Sequence, residues 1–398
     1  MTICIKRWSV DPMSPIDKID RSIEKLMRYL EGTGWAGYDP YDALNSPLLS
    51  RISSRSKWCR IAFTQALKLS PINIRPFVGV PKGINPKGLG LFLCAYLKHH
   101  ERFRDPASKQ AVEILLRMLN ATRSPGYHGP CWGYNFDWQS RVGFSPKTTP
   151  TLVNTAFVAH SYLDAFEHLG DSRLLDVAMG AARFMLQDLN VTRENGLVCF
   201  SYTPFDRTRV VNANALGAGF LARLYTWTRK REHLDFASRL ARYVAKRQNP
   251  DGSWYYADTS FQRWIDSHHT GFVLEGLFNY IHYSGDNEWL PALKRGLAYY
   301  RDHFFGEDGH PSFYNDRAYP VDIHCPSQAL VTLSRLRSVE DHTALALKVS
   351  DWMISRLQDP RGFFYYRIER HFTNKIPYIR WGQAWAFHGL TTFWKYGF

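Results

Sequence analysis

The sequence predicts an all-α fold, an (α/α)6 toroid in which six helical hairpins form a barrel with aromatic loops and short strands at one end. Amphipathic helical segments recur along the 398 residues, no segment sustains strand alternation, and aromatic-rich loops return roughly every 50 to 65 residues. Because a hairpin of this kind cannot bury its apolar face alone, successive hairpins must stack. An open solenoid is the alternative, but the first helix is free to close the ring against the last hairpin.

Caps and apolar spacing define the helices. Ser14 suits an N-cap and Pro15 the first helical position, and apolar residues then recur at helical spacing from Ile16 to Leu30. The segment "EGTGWAGYDPYDAL" ends this helix with glycines. Further helices are predicted at 54–69, 89–102, 108–122, 150–168, 172–188, 212–229, 231–247, 268–283, 287–304, 324–336, 340–357 and 378–394.

Five aromatic loops mark the repeats. They are "CWGYNFDWQSR" (131–141), "GLVCFSYTPFDRTRVVNAN" (196–214), "DGSWYYADTSFQRWIDSHH" (251–269), "GHPSFYNDRAYPVDIHC" (309–325) and "RGFFYYRIERHFTNKIPYIRWGQ" (361–383). Each precedes an apolar helix, assigned to the inner ring, and then a more charged outer helix. Strand signals are confined to patches such as "SWYYA" and "GFFYYRIER". No Pro-, Gly- or Ser-rich linker interrupts the series, so residues 1–398 are predicted to form one barrel domain.

The overall charge favours acidic partners. The net charge is +14, which attracts nucleic acid, anionic lipid or acidic polysaccharide. The basic residues are spread through the chain with no Lys/Arg run of five or more, so nucleic acid is an unlikely partner. Trp and Tyr are abundant, at 13 and 22 residues, and their flat faces suit stacking on sugars as well as core packing.

The cysteines and the hydropathy indicate a reducing compartment and no membrane span. The six cysteines form neither a CxxC pair nor a zinc-type cluster, so we expect free thiols. The N-terminus lacks the apolar stretch of a signal peptide, and no window reaches 18 apolar residues. A cytoplasmic location is therefore the default expectation. The oligomeric state stays open.

Two segments carry a resemblance to triterpene cyclases. "QNPDGSW" (248–254) and "QDPRGFF" (358–364) both read Q-x3-G-x-aromatic, and they resemble the QW repeats of those enzymes, which are also α/α toroids. The motif marks a helix end that turns into an aromatic loop. The acid motifs Asp-x-Asp-Asp and Asp-Asp-x-x-Asp are absent, which speaks against a terpene cyclase or prenyltransferase.

Most of the chain resembles the six-hairpin glycosidase group. "WGYNFDWQSR", "TPTLVNTAFVAHSYLDAF" and "KIPYIRWGQAWAFHGL" are similar to stretches in toroid proteins of polysaccharide-biosynthesis clusters. The wider group includes glycoside hydrolases, polysaccharide lyases, uronyl C5-epimerases and sugar 2-epimerases. The resemblance implies an (α/α)6 fold and a sugar substrate, and leaves the reaction open.

Two kinds of sugar chemistry fit the loops. Glycoside hydrolysis needs two carboxyl groups across the scissile bond. β-Elimination or C5 epimerisation of a uronate needs a group that neutralises the carboxylate, a base for the C5 proton and a proton donor. The candidate catalytic residues are His268, His269, Asp266, Tyr256, Tyr314, Asp322, His324 and Asp137.

The strongest of these candidates repeat in register. Asp266 and Asp322 occupy matching places in successive repeats, each two residues before a histidine and just before an inner helix. Each aspartate also suits a helix N-cap, which is the structural alternative. For uronate chemistry, His268 or His269 is the predicted base, because imidazole moves protons near neutral pH, and Tyr256 or Tyr314 is the predicted acid.

The remaining candidates are expected to hold the substrate. They are Arg141, Arg380, Arg207, Asn212, Trp138, Trp254, Trp264, Trp381, Tyr202 and Tyr366. An arginine fork binds a carboxylate with two parallel hydrogen bonds, and Arg380 or Arg141 is predicted to do so. The alternative is that loop arginines pair with loop aspartates. No cofactor and no metal are predicted, although Asp266, His268 and His324 have side chains that could hold a divalent ion.

The leading hypothesis is an enzyme acting on an acidic, uronate-containing polysaccharide or oligosaccharide, by β-elimination or C5 epimerisation. A glycoside hydrolase using two of Asp137, Asp206, Asp266 and Asp322 is the nearest alternative. A glycan-binding protein without turnover, belonging to a polysaccharide-biosynthesis system, is the non-enzymatic one. Nucleic-acid binding by the basic surface is a third hypothesis.

Overall fold

The protein is built as two concentric rings of helices. The computed structural model describes residues 14–140 and 143–397, which contain fourteen α-helices. The inner ring consists of α4 (Pro86–Phe103), α6 (Leu152–Leu169), α8 (Val211–Thr228), α10 (Ser267–Ser284), α12 (His324–Arg335) and α14 (Trp385–Tyr396). The outer ring consists of α1 (Pro15–Glu31), α5 (Pro106–Ala121), α7 (Ser172–Gln187), α9 (Arg231–Lys246), α11 (Leu290–Phe304) and α13 (Thr343–Leu357). This is the predicted (α/α)6 toroid.

The two rings differ in polarity, as the sequence predicts. Residues 211–224 of α8 are buried without exception, so an inner helix is enclosed on every side. The outer helix α9 buries only the stripe that faces the inner ring. The main hydrophobic core therefore fills the space between the two rings.

The inner ring closes on itself. Helix α14 packs against α4, where Phe387 makes an edge-to-face contact with Tyr96 at 4.9 Å between ring centroids. Helix α1 of the outer ring packs against its neighbour α13 and against the inner helix α14, and Lys18 of α1 forms an ion pair with Asp351 of α13. The first helix thus closes the ring, which excludes the open solenoid.

The two Q-x3-G-x-aromatic segments act as clamps between outer helices. Gln248 Nε2 donates to the carbonyl oxygens of Gly252, at 3.0 Å, and of Ala292 on α11, at 2.9 Å. In the same way, Gln358 Nε2 donates to the carbonyl oxygens of Gly362 in its own turn and of Ser22 on α1. Gly252 has φ +94°, and a Cβ there would lie 2.7 Å from a carbonyl oxygen of α11. The motif therefore serves the fold, as the resemblance implied.

The short strands lie in the loops, but not all at the predicted places. They are β1 (Trp138–Gln139), β2 (Phe144–Ser145), β3 (Val191–Glu194), β4 (Leu197–Phe200), β5 (Val321–Asp322), β6 (Arg367–Ile368) and β7 (Thr373–Asn374). Strand β1 pairs with β2, β3 with β4, and β6 with both β5 and β7, all antiparallel.

Two strand expectations need correction. "SWYYA" forms no strand and contributes one isolated bridge, between Val210 and Ala257. The hairpin of β3 and β4 was not expected, although its turn carries an Asn-Gly pair. Asn195 and Gly196 both have positive φ, as a tight two-residue hairpin turn requires.

An inserted arm, residues 42–82, separates α1 from α4. It contains α2 (Pro47–Ser53) and α3 (Lys57–Leu69), so the helix predicted at 54–69 is confirmed and α2 is an addition. The arm has a small core of its own, formed by Ala43, Leu49, Leu67 and Val80. Within the arm, Arg75 forms an ion pair with Asp42 at 2.6 Å, and it ties the arm to the barrel by donating a hydrogen bond to the Tyr378 hydroxyl at 2.7 Å.

The cysteines and the hydropathy of the helices complete the description of the fold. The five cysteines there are free. Among residues 14–140 and 143–397, no helix combines the length and the apolarity that crossing a bilayer would require.

Candidate active site

The first turns of the inner helices meet at one mouth of the barrel. Because the six inner helices run in the same direction, their N-terminal residues gather at the same end of the ring. They place Lys87, Asn154, Asn212, His268 and His324 there, all buried. Helix N-termini carry partial positive charge, so this end of the barrel favours an anionic or strongly polar ligand.

Several buried polar atoms at this mouth have no hydrogen-bond partner among residues 14–140 and 143–397. They are Nδ1 and Nε2 of His324, Nδ1 of His268, Nδ2 of Asn212, both amide atoms of Asn154, and Nε1 of Trp385. Buried polar groups in folded proteins nearly always have a hydrogen-bond partner. Their concentration at one place indicates a site that is completed by a polar ligand.

His268 and His324 form the centre of the site. Their rings stack with centroids 4.3 Å apart, and His324 also lies 4.2 Å from the ring of Trp385. Burial lowers the pKa of both histidines well below the ordinary value, and the nearby Lys87 lowers them further. Both imidazoles are therefore neutral near neutral pH, which is the form that accepts a proton.

Asp266 organises the neighbouring histidine and indole. It caps α10 by accepting from the backbone N–H of His269 at 3.0 Å, as the structural alternative proposed, and its Oδ2 also accepts from Trp264 Nε1 at 3.0 Å. Burial alone would raise the pKa of Asp266, but the adjoining His268 and His269 imidazoles and the hydrogen bonds from His269 hold it below the ordinary value. His268 Nδ1 lies 3.1 Å from Asp266 Oδ1, without the alignment of a hydrogen bond. The side-chain oxygen and nitrogen atoms of Asp266, His268 and His269 lie within 4.8 Å of one another, so these three residues could hold a divalent cation.

Asp322 occupies the equivalent place in the next repeat. Its Oδ1 accepts from Trp381 Nε1 at 2.7 Å and from the backbone N–H of His324 at 3.0 Å. Burial raises the pKa of Asp322 to about 6, although the Arg367 guanidinium acts in the opposite direction. This carboxyl group therefore titrates close to neutral pH, which suits a proton donor.

The raised pKa of Asp322 predicts the direction of a pH effect on stability. The folded value of about 6 exceeds the ordinary 3.8, so the folded protein binds this proton more tightly than the unfolded chain. This contribution is complete below about pH 4 and is lost as the pH rises to about 6, a loss of about 3 kcal/mol. Asp322→Asn should remove that part of the pH dependence, since an amide oxygen still accepts both hydrogen bonds. Urea unfolding of both proteins at about pH 4 and pH 7 measures the difference.

The control for this prediction is Asp316→Asn, which changes an exposed carboxylate paired with Arg317. It should keep the pH dependence of the unaltered protein. An Asp322→Asn protein with the same dependence would show that Asp322 does not carry the raised pKa.

Three aromatic rings form a floor beneath the histidines. The rings of Phe157, Phe272 and Trp385 contact one another, with centroids 5.1 to 5.5 Å apart. The Lys87 ammonium lies on this floor, 4.3 Å from the Phe157 centroid and 4.9 Å from that of Phe272. Burial, aided by Arg380, lowers the pKa of Lys87 well below its ordinary value. Lys87 forms no ion pair within residues 14–140 and 143–397.

Lys87 is not among the residues predicted from the sequence, although its position in the repeat indicates a place in the site. Lys87 follows "INP" at the start of an inner helix, which is the position that His268 and His324 occupy in their own repeats. Alignment of the first inner helix with the others would have found it. The less regular N-terminal repeat, which contains the inserted arm, concealed the register.

Arg380 requires a correction. Its guanidinium forms two parallel hydrogen bonds with Asp39, at 2.6 and 2.8 Å, and both side chains are buried. The fork predicted to hold a substrate carboxylate is therefore already occupied, which is the alternative of an internal arginine–aspartate pair. Trp381, the next residue, lies at the site: its ring edge meets His324 at 4.9 Å.

Aromatic side chains line the rest of the mouth. Tyr256 stacks on Trp264 at 4.4 Å and meets His269 edge-on at 4.7 Å. A small recess of about 10 Å³ adjoins these rings, with Asn212 among its lining residues. Burial raises the pKa of Tyr256, so its hydroxyl keeps its proton and can donate it.

The opposite wall of the mouth also contains predicted residues. The Tyr202 hydroxyl lies 3.1 Å from that of Tyr134, and the Trp138 ring is 6.1 Å from the Tyr202 ring. Tyr314 bridges the backbone of Asp266, which places it at the same end of the barrel. These residues are therefore gathered around one mouth, as the repeat register predicts.

Two of the predicted sugar platforms are core residues. Trp254 is a core residue, because its ring is 3% exposed and its Nε1 donates to the Val244 carbonyl. Tyr366 is likewise buried in the core, against Tyr378. These two are not open sugar platforms.

Asp137 and Arg207 lie away from the histidines. Asp137 Oδ1 accepts from the backbone N–H of Lys147 at 2.7 Å and so holds its own loop together. Arg207 is exposed, and Asp206 beside it accepts from the backbone N–H groups of Thr203 and Thr208. Arg141 lies outside the described residues.

Comparison with known proteins identifies the fold. No family model matches the sequence, and no curated protein is significantly similar to it. Among solved structures, cellobiose 2-epimerase from Bacillus thermoamylovorans has a TM-score of 0.68 at 10% identity, over 96% of this chain and 98% of that one. A D-mannose isomerase has 0.63 at 14% identity, over 96% and 99%. An unsaturated glucuronyl hydrolase specific for heparin has 0.63 at 12% identity, over 96% and 97%. The chain therefore has the (α/α)6 glycosidase-like toroid fold that the resemblance implied.

Proposed function

We propose that the protein is a carbohydrate-active enzyme that removes the C5 proton of a uronate residue, leading to β-elimination or C5 epimerisation. One observation carries the proposal: two stacked, neutral histidines lie beside a buried lysine that has no carboxylate partner in the described chain. Neutral imidazole supplies a base, and the lysine supplies a charge for an anion to meet. Together these groups support two requirements of uronate chemistry, a base and a charge for the carboxylate.

The lysine has the first task, since the C5 proton is poorly acidic while the adjacent carboxylate is fully charged. In this proposal the carboxylate binds next to the Lys87 ammonium. The anion raises the pKa of the lysine again, so binding itself favours the charged form. The negative charge that develops when the proton leaves is then stabilised where it forms.

Proton transfer from C5 follows. His324 or His268 accepts the C5 proton, and the electron pair of the broken C5–H bond is delocalised into the carboxylate. For epimerisation, a donor on the other face, such as Tyr256, returns a proton to C5. For elimination, the electron pair forms a C4–C5 double bond while the C4–O bond breaks, and the departing oxygen takes a proton from the donor.

The names of the structural neighbours support a sugar substrate. They include a sugar epimerase, a sugar isomerase and a hydrolase of unsaturated glucuronyl groups. The net charge of +14 supports an acidic substrate rather than a neutral one.

The test is incubation of the full chain with a panel of uronate polysaccharides and oligosaccharides. Rising ultraviolet absorbance of an unsaturated uronate would establish elimination. Incorporation of deuterium at C5 in deuterium oxide, without that absorbance, would establish epimerisation. Deuterium at C2 of a neutral sugar, with none at C5, would overturn the uronate assignment in favour of the chemistry that the epimerase and isomerase neighbours are named for.

Glycoside hydrolysis is the second candidate. It is favoured by Asp322, whose pKa of about 6 is that expected of a general acid. New reducing ends without ultraviolet absorbance or solvent deuterium would select it. The other carboxylates in the loops are engaged as caps or loop braces, which is why proton abstraction is preferred.

Replacing His324 by glutamine tests its role as base. Loss of a general base costs about 10²- to 10⁴-fold in rate, so kcat and C5 deuterium exchange should fall together by that factor. Substrate affinity should change less, because an amide still forms hydrogen bonds. His282→Gln, at an exposed position near the other end of α10, is the matched control and should leave both rates unchanged. A kcat within twofold of the unaltered enzyme would remove His324 from the mechanism.

A further inference from the structure

The inserted arm exposes an unusual number of large apolar side chains. Phe77 is 85% exposed, Trp58 74% and Ile72 69%. Leu48, Ile52 and Leu69 are also more than half exposed, so five of the six most exposed large apolar residues of the described chain lie between positions 48 and 77. An exposed cluster of this kind marks an interaction surface.

These side chains follow helical spacing. Leu48 and Ile52 are one turn apart on α2, and Trp58 and Leu69 lie three turns apart on the same side of α3. Leu49 of α2 and Leu67 of α3 instead pack in the small core of the arm. The helices of the arm therefore resemble amphipathic helices that lie at a membrane surface, with some apolar side chains packed inside the arm and others open to solvent.

The charge of the arm is one-sided. The sequence contains no Asp or Glu from position 43 to position 100. The exposed basic residues of the arm are Arg51, Arg55, Lys57 and Lys82. A surface that combines exposed Leu, Ile, Phe and Trp with cations and lacks anions is complementary to an anionic lipid headgroup layer over a hydrocarbon interior.

The arm lies beside the mouth of the candidate active site. It connects the mouth end of α1 to the mouth end of α4 and touches two other mouth loops, through Arg60 to Gln139 at 2.8 Å and through the Ser70 carbonyl to Asn374 at 2.8 Å. Lys68 Nζ of α3 lies 3.0 Å from the Tyr41 hydroxyl, and the Tyr41 ring contacts that of Trp381.

We propose that the arm, residues 42–82, docks on the surface of an anionic lipid bilayer, with Trp58 and Phe77 entering the headgroup region. Docking places the mouth of the barrel at the membrane surface. The aliphatic residues Leu48, Ile52 and Ile72 distinguish this partner from a glycan or a nucleic acid, because such chains are contacted through stacking and polar side chains. The inference does not depend on the reaction catalysed in the barrel.

The test is flotation of the full chain with vesicles of phosphatidylcholine alone and with about one third phosphatidylglycerol. Binding should require the anionic lipid and should weaken as salt is raised. In Trp58→Ser/Phe77→Ser, which removes two apolar side chains, binding should fall about tenfold or more. Arg51→Gln/Arg55→Gln should weaken binding and reduce its salt dependence.

Matched controls separate the arm from the rest of the surface. Leu169→Ser/Trp227→Ser removes two partly exposed apolar residues at the opposite end of the barrel, and Arg239→Gln/Arg242→Gln removes two exposed charges on α9. Both should bind vesicles as the unaltered chain does, and thermal unfolding should show that all four variants are folded. Equal loss in the controls, or no vesicle binding by the unaltered chain, would overturn the proposal. So would a sedimentation experiment in which the arm variant abolishes self-association and leaves vesicle binding intact.

Discussion

Replacing Lys87 by methionine is expected to lower turnover strongly and to raise the free energy of unfolding. Methionine matches the length of the lysine stem, and its thioether packs well on aromatic rings. The substitution removes a buried amine that rests on the rings of Phe157, Phe272 and Trp385, is costly to charge there, and has no ion-pair partner in the described chain. Removal of such a group from an apolar setting should stabilise the fold by about 1–3 kcal/mol.

The catalytic consequence has the opposite sign. If Lys87 neutralises the substrate carboxylate, its loss should lower kcat about 10²- to 10³-fold, as expected when one preorganised electrostatic contact is removed. Steady-state kinetics and urea unfolding on the same preparations measure both effects. Lys82→Met, which changes an exposed lysine of the arm, is the control and should alter neither. A Lys87→Met protein that is less stable and fully active would show that the lysine is part of the scaffold and not of the site.

Removing the carboxylate of Asp39 is expected to be the most destabilising single change considered. Asp39→Ala leaves the Arg380 guanidinium buried and without its partner, at a cost of about 3–5 kcal/mol. The double variant Asp39→Ala/Arg380→Met should recover most of that loss, because an apolar pair can replace a buried ion pair. Chemical unfolding of the two single variants and the double variant gives the coupling energy.

The control is Arg173→Gln, which breaks the surface ion pair with Asp171 but leaves Asp171 to cap α7, and it should have no measurable effect. The same variants decide the role of Arg380 in the site. If Arg380 is an internal partner of Asp39, the double variant should bind substrate normally. A double variant that is stable but has a strongly raised KM would return Arg380 to the substrate.

The fold could be predicted because its determinants are local and repeated. Apolar spacing, caps and aromatic loops recur in each hairpin, and a hairpin has only its neighbours to pack against. The tight β3–β4 hairpin was not predicted despite its Asn195-Gly196 turn, because strands of four residues are too short to show a clear alternation. The second short helix of the arm, α2, was missed because its seven residues offer too few turns for a period.

The candidate site could be predicted only in part, where equivalent positions of successive repeats carry the same residues. His268 and His324 were found because equivalent places of successive repeats carry the same pattern, and the fold brings equivalent places together. The pairing of Arg380 with Asp39 could not be predicted, since the two lie 341 positions apart and meet only where the ring closes. The burial of Trp254 likewise depends on the packing of α9 and α11 around it, which a loop sequence does not reveal.

In the proposed enzyme, the aromatic floor restricts the side from which a glycan can approach. Phe157, Phe272 and Trp385 contact one another, and Phe272 and Trp385 also contact His324, so that side of the histidine is filled by protein. Under the proposed function, a reacting sugar would enter from the loops of the mouth alone. This arrangement favours action on a terminal unit of a glycan, and the product sizes released from a defined oligosaccharide test it.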